Sequence, residues 1–222
     1  MGRAARRDSS CRDRSNRCCV RGGLGRPAAV SLPAGATVIA ADSGAELALE
    51  FGLRVDLAVD DFDSISPATL ETIKRSGAGI ERHPTAKDES DLELALAAAL
   101  ALGPARLVVL GGAEGRLDHL FGELLLVAAD AFSRVEVDAQ FGAAAFHVVR
   151  GERVLAGAAG ELISLFAVHG PATSVVTEGL VYELRGEVLT PGSSRGLSNM
   201  FAASEARVMV TQVRIAIARA GS

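Results

Sequence analysis

Val55-Asp56-Leu57-Ala58-Val59-Asp60-Asp61-Phe62-Asp63-Ser64 decides how the rest of the chain is read. The first half, Val55–Val59, reads as a strand, and it runs into three aspartates within four positions. Carboxylates crowded at a strand end raise one another's pKa, and a divalent cation relieves the repulsion. All-oxygen ligands suit Mg²⁺, which takes one or two carboxylates and fills its shell with water and substrate phosphates. The stretch therefore points to a Mg²⁺–phosphate site at the carboxyl end of a strand. The competing reading is an acidic turn that opens the next helix.

Two further segments favour the first reading. Lys87-Asp88-Glu89-Ser90-Asp91-Leu92-Glu93 occupies a strand-to-helix loop, where Asp91 adds a carboxylate and the helix N-terminus offers free N–H groups to a phosphate. Lys87 is one of two lysines in the chain, the other being Lys74. Gly111-Gly112-Ala113-Glu114-Gly115-Arg116-Leu117-Asp118-His119 lets backbone approach a ligand, with Arg116 to clamp phosphate oxygens and Asp118 to hold metal or water. It lacks the Lys-Ser/Thr of a Walker A loop. Three successive strand ends thus bring acidic and phosphate-binding residues to one edge.

Around these segments strands alternate with helices. Ala36–Ala41, Val55–Val59, Ile80–His83, Arg106–Leu110 and Val135–Asp138 read as strands. Helices are expected over Ala45–Phe51, from Ser66-Pro67 to Ser76, from Ser90 or Asp91 to Gly103, and over Leu117–Phe132. That alternation predicts an α/β domain with a mostly parallel sheet, over residues 27–150. In such sheets ligands sit beyond the carboxyl ends of the strands. From 151 to 222 only short β-rich pieces remain (Glu161–Val168, Ser174–Val176, Val181–Leu184, Val208–Ile217), which predicts a small all-β sandwich domain.

The 222 residues carry 49% hydrophobic and 23% charged side chains, as a globular protein does. The net charge of −4 divides unevenly: residues 1–26 hold eight Arg against Asp8 and Asp13, about +6, leaving about −10 elsewhere. An acidic body is a poor nucleic-acid binder. Residues 1–26 read as a basic, disordered leader standing in place of a normal N-terminus. Cys11, Cys18 and Cys19 all lie in it and match no zinc spacing, so the body holds no disulfide and fits a reducing compartment. The leader does not suit a signal peptide, and no run reaches the ~18 apolar residues of a membrane helix. Cytoplasmic localisation and no membrane partner are expected.

Taken together, Ala41-Asp42-Ser43-Gly44-Ala45, Asp61-Phe62-Asp63-Ser64, the Lys87–Glu93 segment and Gly115-Arg116-Leu117-Asp118-His119 resemble the thiamin pyrophosphokinases over residues 36–210. Gly179-Leu180-Val181-Tyr182 and Gly192-Ser193-Ser194-Arg195-Gly196-Leu197-Ser198-Asn199 extend the resemblance. It implies an α/β catalytic domain, a β-sandwich domain and a homodimer with active sites at the subunit interface. The reaction implied moves the pyrophosphoryl group of ATP to the hydroxyl of thiamin and leaves AMP. On the same footing Asp42, Asp61, Asp63 and Asp91 look like the Mg²⁺ cluster, and Lys87, Ser90, Arg116 and Asp118 like nucleotide or phosphate contacts. Asp63 or Asp91 would assist loss of the hydroxyl proton. Ser198 and Asn199 look like polar contacts to the thiamin pyrimidine, and Tyr182 like the aromatic that covers the cationic thiazolium.

Two features depart from the family pattern. Asp60 stands where glycine is usual, adding charge and excluding a positive φ at low cost. The first strand is represented only by Cys18-Cys19-Val20-Arg21-Gly22-Gly23, a poor buried strand. The alternatives are a pyrophosphokinase acting on another alcohol, such as a hydroxymethylpterin, or a non-catalytic nucleotide- or thiamin-binding module.

Overall fold

The computed structural model describes residues 16–22, 32, 35–113 and 115–219. Six parallel strands form the first sheet: β1 (Asn16–Arg21), β2 (Thr37–Ala41), β3 (Leu57–Asp60), β4 (Gly79–Arg82), β5 (Arg106–Gly111) and β6 (Glu136–Phe141). Their order is β4-β3-β2-β1-β5-β6, and β7 (Ala144–Val149) adds an antiparallel edge. Helices α1 (Gly44–Glu50) and α2 (Pro67–Arg75) bury Ala45, Leu47, Ala48 and Ile73 against Cys18, Val20, Val38 and Ala40. On the other face α3 (Asp91–Ala101) packs Leu92, Ala95, Leu96 and Ala99 near Cys19, Ile39, Leu107 and Val109, and α4 (Leu117–Val127) adds Val127. Successive strand residues thus serve opposite cores, which is the period-two signature of a sheet covered on both sides. None of the helices described is long and apolar enough to cross a membrane.

β1 corrects the reading of residues 16–21 as part of a disordered leader. This strand is the centre of the sheet, paired with β2 on one side and β5 on the other. Cys18, Cys19 and Val20 are fully buried, cysteine behaving as a small apolar residue. The two arginines of the segment lie at the strand's ends. Arg17 donates to the carbonyls of Asn16 (2.8 Å) and Leu102 (3.2 Å), and Arg21 to those of Gly22 (2.7 Å) and Gly112 (3.0 Å). The remainder of residues 1–26, apart from Gly22, lies outside the described residues.

The chain walks outward from β1 to β4, then returns through α3 to place β5 on the other side of β1. That reversal opens a crevice above the carboxyl ends of β1 and β5. α1 enters tightly beside it: a Cβ on Gly44 would stand 2.1 Å from the Val20 carbonyl oxygen, so only glycine fits.

The second part is all β: β8 (Glu152–Ala156), β9 (Leu162–Glu178), β10 (Arg185–Leu189), β11 (Asn199–Met200), β12 (Glu205–Met209) and β13 (Gln212–Arg219). β9 is one 17-residue strand where two short pieces were expected. It bends at His169 (φ 61°) and Ser174 (φ 52°), which shifts the phase of its buried residues from Ile163, Leu165 and Ala167 to Ala172 and back to Val175. Its first half pairs with β11 and β13, which continue the ladder from β7, and its second with β10 and β12, around a core of Leu155, Leu165, Leu184, Phe201 and Val208. β13 also pairs with β7, joining the two parts in one ladder.

Three further expectations change. Val181–Leu184 is an irregular segment between the Leu180–Phe201 bridge and the strand that begins at Arg185. The Val208–Ile217 piece is divided between β12 and β13. The Leu117–Phe132 helix stops at Val127 and resumes as a 3-10 turn over Asp130–Phe132.

Candidate active site

Strands β2 and β3 deliver their carboxylates side by side. Asp42 follows β2 in a left-handed conformation (φ 51°) and accepts a short hydrogen bond from the Ser64 hydroxyl. Asp60 ends β3 and is 2% exposed. Its Oδ1 accepts from the Asp61 amide at 2.8 Å, while Oδ2 is buried with no hydrogen-bond partner among the described residues. Asp61 Oδ1 then accepts from the Asp63 amide at 3.0 Å, which closes the loop around Phe62 (φ 65°). Arg82 braces it, its guanidinium 4.8 Å over the Phe62 ring and donating to the Asp61 carbonyl. The positive φ thus falls on Phe62, and Asp60 sits in ordinary strand conformation. The expected backbone conflict at Asp60 is absent for that reason.

The electrostatics place these groups and Asp91 in one neighbourhood. Burial, opposed by the Asp61 and Phe62 amides and reinforced by the charges of Asp91 and Asp42, pushes the Asp60 carboxyl up to about 6. The Asp63 amide, with Thr85 and Lys87, holds Asp61 below its ordinary value. Asp63 is raised, first by the charge of Asp61 and further by Asp42 and Asp91. Ser90 caps α3, accepting from the Glu93 amide at 3.2 Å, and so sets Asp91 in its first turn. Lys87 Nζ lies 2.6 Å from Asp91 Oδ1. Burial draws the Lys87 ammonium down, yet Asp91, Asp61 and Asp60 outweigh it and its pKa is raised.

Of the residues singled out in sequence, Asp42, Asp61, Asp63, Lys87 and Asp91 therefore come together, with Ser90 behind them. Arg116 and Asp118 pair with each other at 2.5 Å, both largely exposed at the start of α4. Among the described residues no three carboxylate, His or Cys side chains close on one point as a metal cage. Mg²⁺ does not require one, since phosphates and water complete its shell. The unpaired Asp60 oxygen and the surplus of carboxylates over Lys87 and Arg82 suit a hard cation.

In the β domain, Tyr182, Leu184, Ser193, Ser194, Arg195, Gly196, Leu197 and Asn199 line a concavity of about 380 Å³. Tyr182 is 58% exposed there. Ser198 is exposed in a left-handed conformation (φ 55°), its amide donating to Ser164 Oγ at 3.1 Å. Asn199, by contrast, is 2% exposed and spends its amide on backbone. Its Oδ1 accepts from the amides of Tyr182 (3.0 Å) and Met200 (2.9 Å), and its Nδ2 donates to the Tyr182 carbonyl (2.8 Å). It holds Tyr182 in place. A second concavity, about 250 Å³, lies at the opposite edge beside Glu136 and Arg153, where Arg153 and Arg106 are tied to Asp138.

Two family profiles fit this architecture in order. "Thiamin pyrophosphokinase, catalytic domain" matches residues 32–138, and "Thiamin pyrophosphokinase, vitamin B1 binding domain" matches residues 147–214. The chain belongs to the thiamin pyrophosphokinase family. It is 29% identical over 99 residues to the thiamine pyrophosphokinase of Bacillus subtilis, a match covering 45% of this chain and 46%, about half, of that relative. The crystal structure of thiamine pyrophosphokinase from Bacillus subtilis superposes with a TM-score of 0.79 at 21% identity, over 93% of this chain and 100% of that one. A thiamin pyrophosphokinase family protein from Enterococcus faecalis gives 0.79 at 22% identity, over 94% and 100%. The Candida albicans thiamin pyrophosphokinase gives 0.66 at 14% identity, over 94% and 90%. At these identities the structures attest a shared fold.

Sequence reasoning missed Arg21 and Arg82. Arg21 closes β1 at the crevice, 5.6 Å from the Phe141 ring centroid and 2.5 Å from Glu123 of α4, and only the strand assignment of residues 16–21 could have exposed it. Arg82 could have been found from the pairing of β4 with β3, which sets it opposite Asp60.

Proposed function

We propose that this chain is an ATP-dependent thiamin pyrophosphokinase that transfers the pyrophosphoryl group of ATP to the hydroxyl of thiamin, giving thiamin diphosphate and AMP. The observation that carries the reading is the set of aspartates that β2, β3 and the start of α3 present at the carboxyl edge of the parallel sheet (Asp42, Asp60, Asp61, Asp63 and Asp91), with Lys87 2.6 Å from Asp91. Family membership and the Tyr182 concavity supply the thiamin side.

Asp42, Asp61, Asp63 and Asp91 would hold Mg²⁺, which neutralises triphosphate charge as the alcohol attacks the β-phosphorus. Lys87, beside Asp91, takes a phosphate oxygen, and the capped N-terminus of α3 behind Ser90 presents N–H groups to the same polyphosphate. Arg116 and Asp118 contact the nucleotide from the mouth of α4. Asp91 is committed to Lys87, so the exposed Asp63 is the better acceptor of the hydroxyl proton. Tyr182 covers the thiazolium, Ser198 contacts the pyrimidine, and Asn199 acts by fixing Tyr182. The chain works as a homodimer in the cytoplasm, with the aspartate cluster of one subunit completed by the β domain of the other.

The test is AMP release from ATP and Mg²⁺ by the purified chain, with and without thiamin. Thiamin-dependent AMP supports the proposal. AMP formed only with another alcohol, such as a hydroxymethylpterin, or nucleotide binding without turnover, overturns it.

A further inference from the structure

We propose that Asp60 is an additional holder of the divalent cation in this chain, its Oδ2 taking the ion or one of the ion's waters while Oδ1 anchors the Asp60–Ser64 loop. The inference rests on the reading of the carboxyl-edge cluster as a cation–phosphate site. It concerns a position where the family resemblance leads one to expect glycine, and which no matched motif assigns.

Four observations carry it. Asp60 is 2% exposed, so its carboxylate is not a solvated surface charge. One oxygen is satisfied by the Asp61 amide at 2.8 Å. The Phe62 amide also acts on the carboxylate, but the second oxygen is buried and no donor meets it in hydrogen-bond geometry among the described residues. Leaving a buried carboxylate oxygen unpaired is unfavourable, more so than for a neutral group. The nearby cations are directed to other acceptors: Lys87 lies on Asp91, and Arg82 stacks on Phe62 and donates to the Asp61 carbonyl. Finally, the strand conformation at Asp60 makes no special demand on residue type, so the backbone does not account for the aspartate. What remains is a small, hard, oxygen-seeking cation entering from outside at the carboxyl end of β3.

The experiment measures Mn²⁺ binding to the full nucleotide-free chain by electron paramagnetic resonance, together with the rise in Tm that Mg²⁺ produces. Wild type is compared with Asp60→Asn, Asp60→Gly and Asp88→Asn. Asp88 is an exposed neighbour that loses the same charge. Both Asp60 variants should bind Mn²⁺ about tenfold more weakly and lose most of the Mg²⁺-induced rise. Asp88→Asn should change binding by less than about twofold, as a screened surface charge would. If either folded Asp60 variant binds as Asp88→Asn does, or if wild type binds no Mn²⁺, the assignment is wrong. Mn²⁺ bound through Asp60 without thiamin-dependent AMP release would overturn the kinase reading alone. AMP release with binding indifferent to Asp60 would overturn this one alone.

Discussion

Lys87 Nζ sits 2.6 Å from Asp91 Oδ1, the ammonium four residues ahead of the carboxylate and side by side with it at the mouth of α3. Asp61 and Asp60 also act on Lys87, and against the effect of burial their charges and Asp91 raise its pKa. Lys87→Met should lower thiamin-dependent AMP release at least tenfold, as loss of a phosphate clamp does. Because Asp91 is partly exposed, the stability change should stay below about 1 kcal/mol. Urea denaturation beside the kinetic assay separates the two effects; a large loss of stability with intact turnover would make Lys87 structural.

Asp63 belongs to the same class. It is exposed, its amide is what anchors Asp61, and its side chain packs in no core. Asp63→Asn keeps that amide and the side-chain shape, so turnover should disappear while Tm stays nearly where it was. Calorimetry of the variant checks this, and a collapse in Tm would contradict the assignment.

Asn199→Ala removes the partners of the Tyr182 and Met200 amides and the Tyr182 carbonyl in a buried setting. Stranded backbone groups should lower stability by about 2 kcal/mol. Tyr182 then loses its anchor, so KM for thiamin should rise while KM for ATP stays unchanged. Equal changes in both constants would argue against a role through Tyr182.

Stability of the metal-free chain should fall as pH rises through mild acidity. Burial is the main reason that the carboxyls of Asp60 and Glu123 both stand at about 6, above the ordinary 3.8 and 4.5. Each therefore binds its proton more tightly folded than unfolded, and between about pH 4 and 6 the folded chain carries the excess protons. Stability is greatest at the low end of that window and declines as the groups ionise. Asp138 works in the other direction but outside it. Despite burial, His147 and Arg153 hold its carboxyl well below the ordinary range, so its stabilisation is complete above 3.8 and lost only on further acidification. Tm measured from about pH 4.5 to 7 should decline, and Asp60→Asn should flatten part of the decline, worth about 1–2 kcal/mol. A Tm that climbs steadily over that range would contradict the assignment.

Removal of residues 1–22 should leave no cooperative unfolding transition. The deletion takes away the central strand, exposes unpaired edges of β2 and β5, and empties both cores of Cys18, Cys19 and Val20. Circular dichroism during a thermal scan decides it; a cooperative melt like that of the full chain would mean that β1 is dispensable.

The local elements were legible where their chemistry is local. Ser66 caps α2 as its position before Pro67 indicated, Ser90 caps α3 where Ser90 or Asp91 was expected, and strands such as Arg106–Leu110 announce themselves as unbroken apolar runs. β1 was hidden because two arginines flank three small apolar residues. Their suitability depends on the carbonyls of Leu102 and Gly112, 85 and 91 residues away. The continuity of β9 was hidden for a related reason. His169 and Ser174 take positive φ between stretches that β13 and β10 hold, partners that lie far along the chain.

The acidic and phosphate-seeking character of the chain is written in residue types: aspartates after a strand, a capped helix start with lysine ahead of it, and glycines where backbone must come close. Which of those groups work together was decided only by tertiary structure. It drew Asp42, Asp63 and Asp91 to one edge, left Arg116 on Asp118, and turned Asn199 inward to hold Tyr182. It also buried Asp60 with one oxygen satisfied and one not. The reason is that a carboxylate's reactivity depends on its solvent and its neighbours, and a folded chain chooses both from segments far apart in sequence.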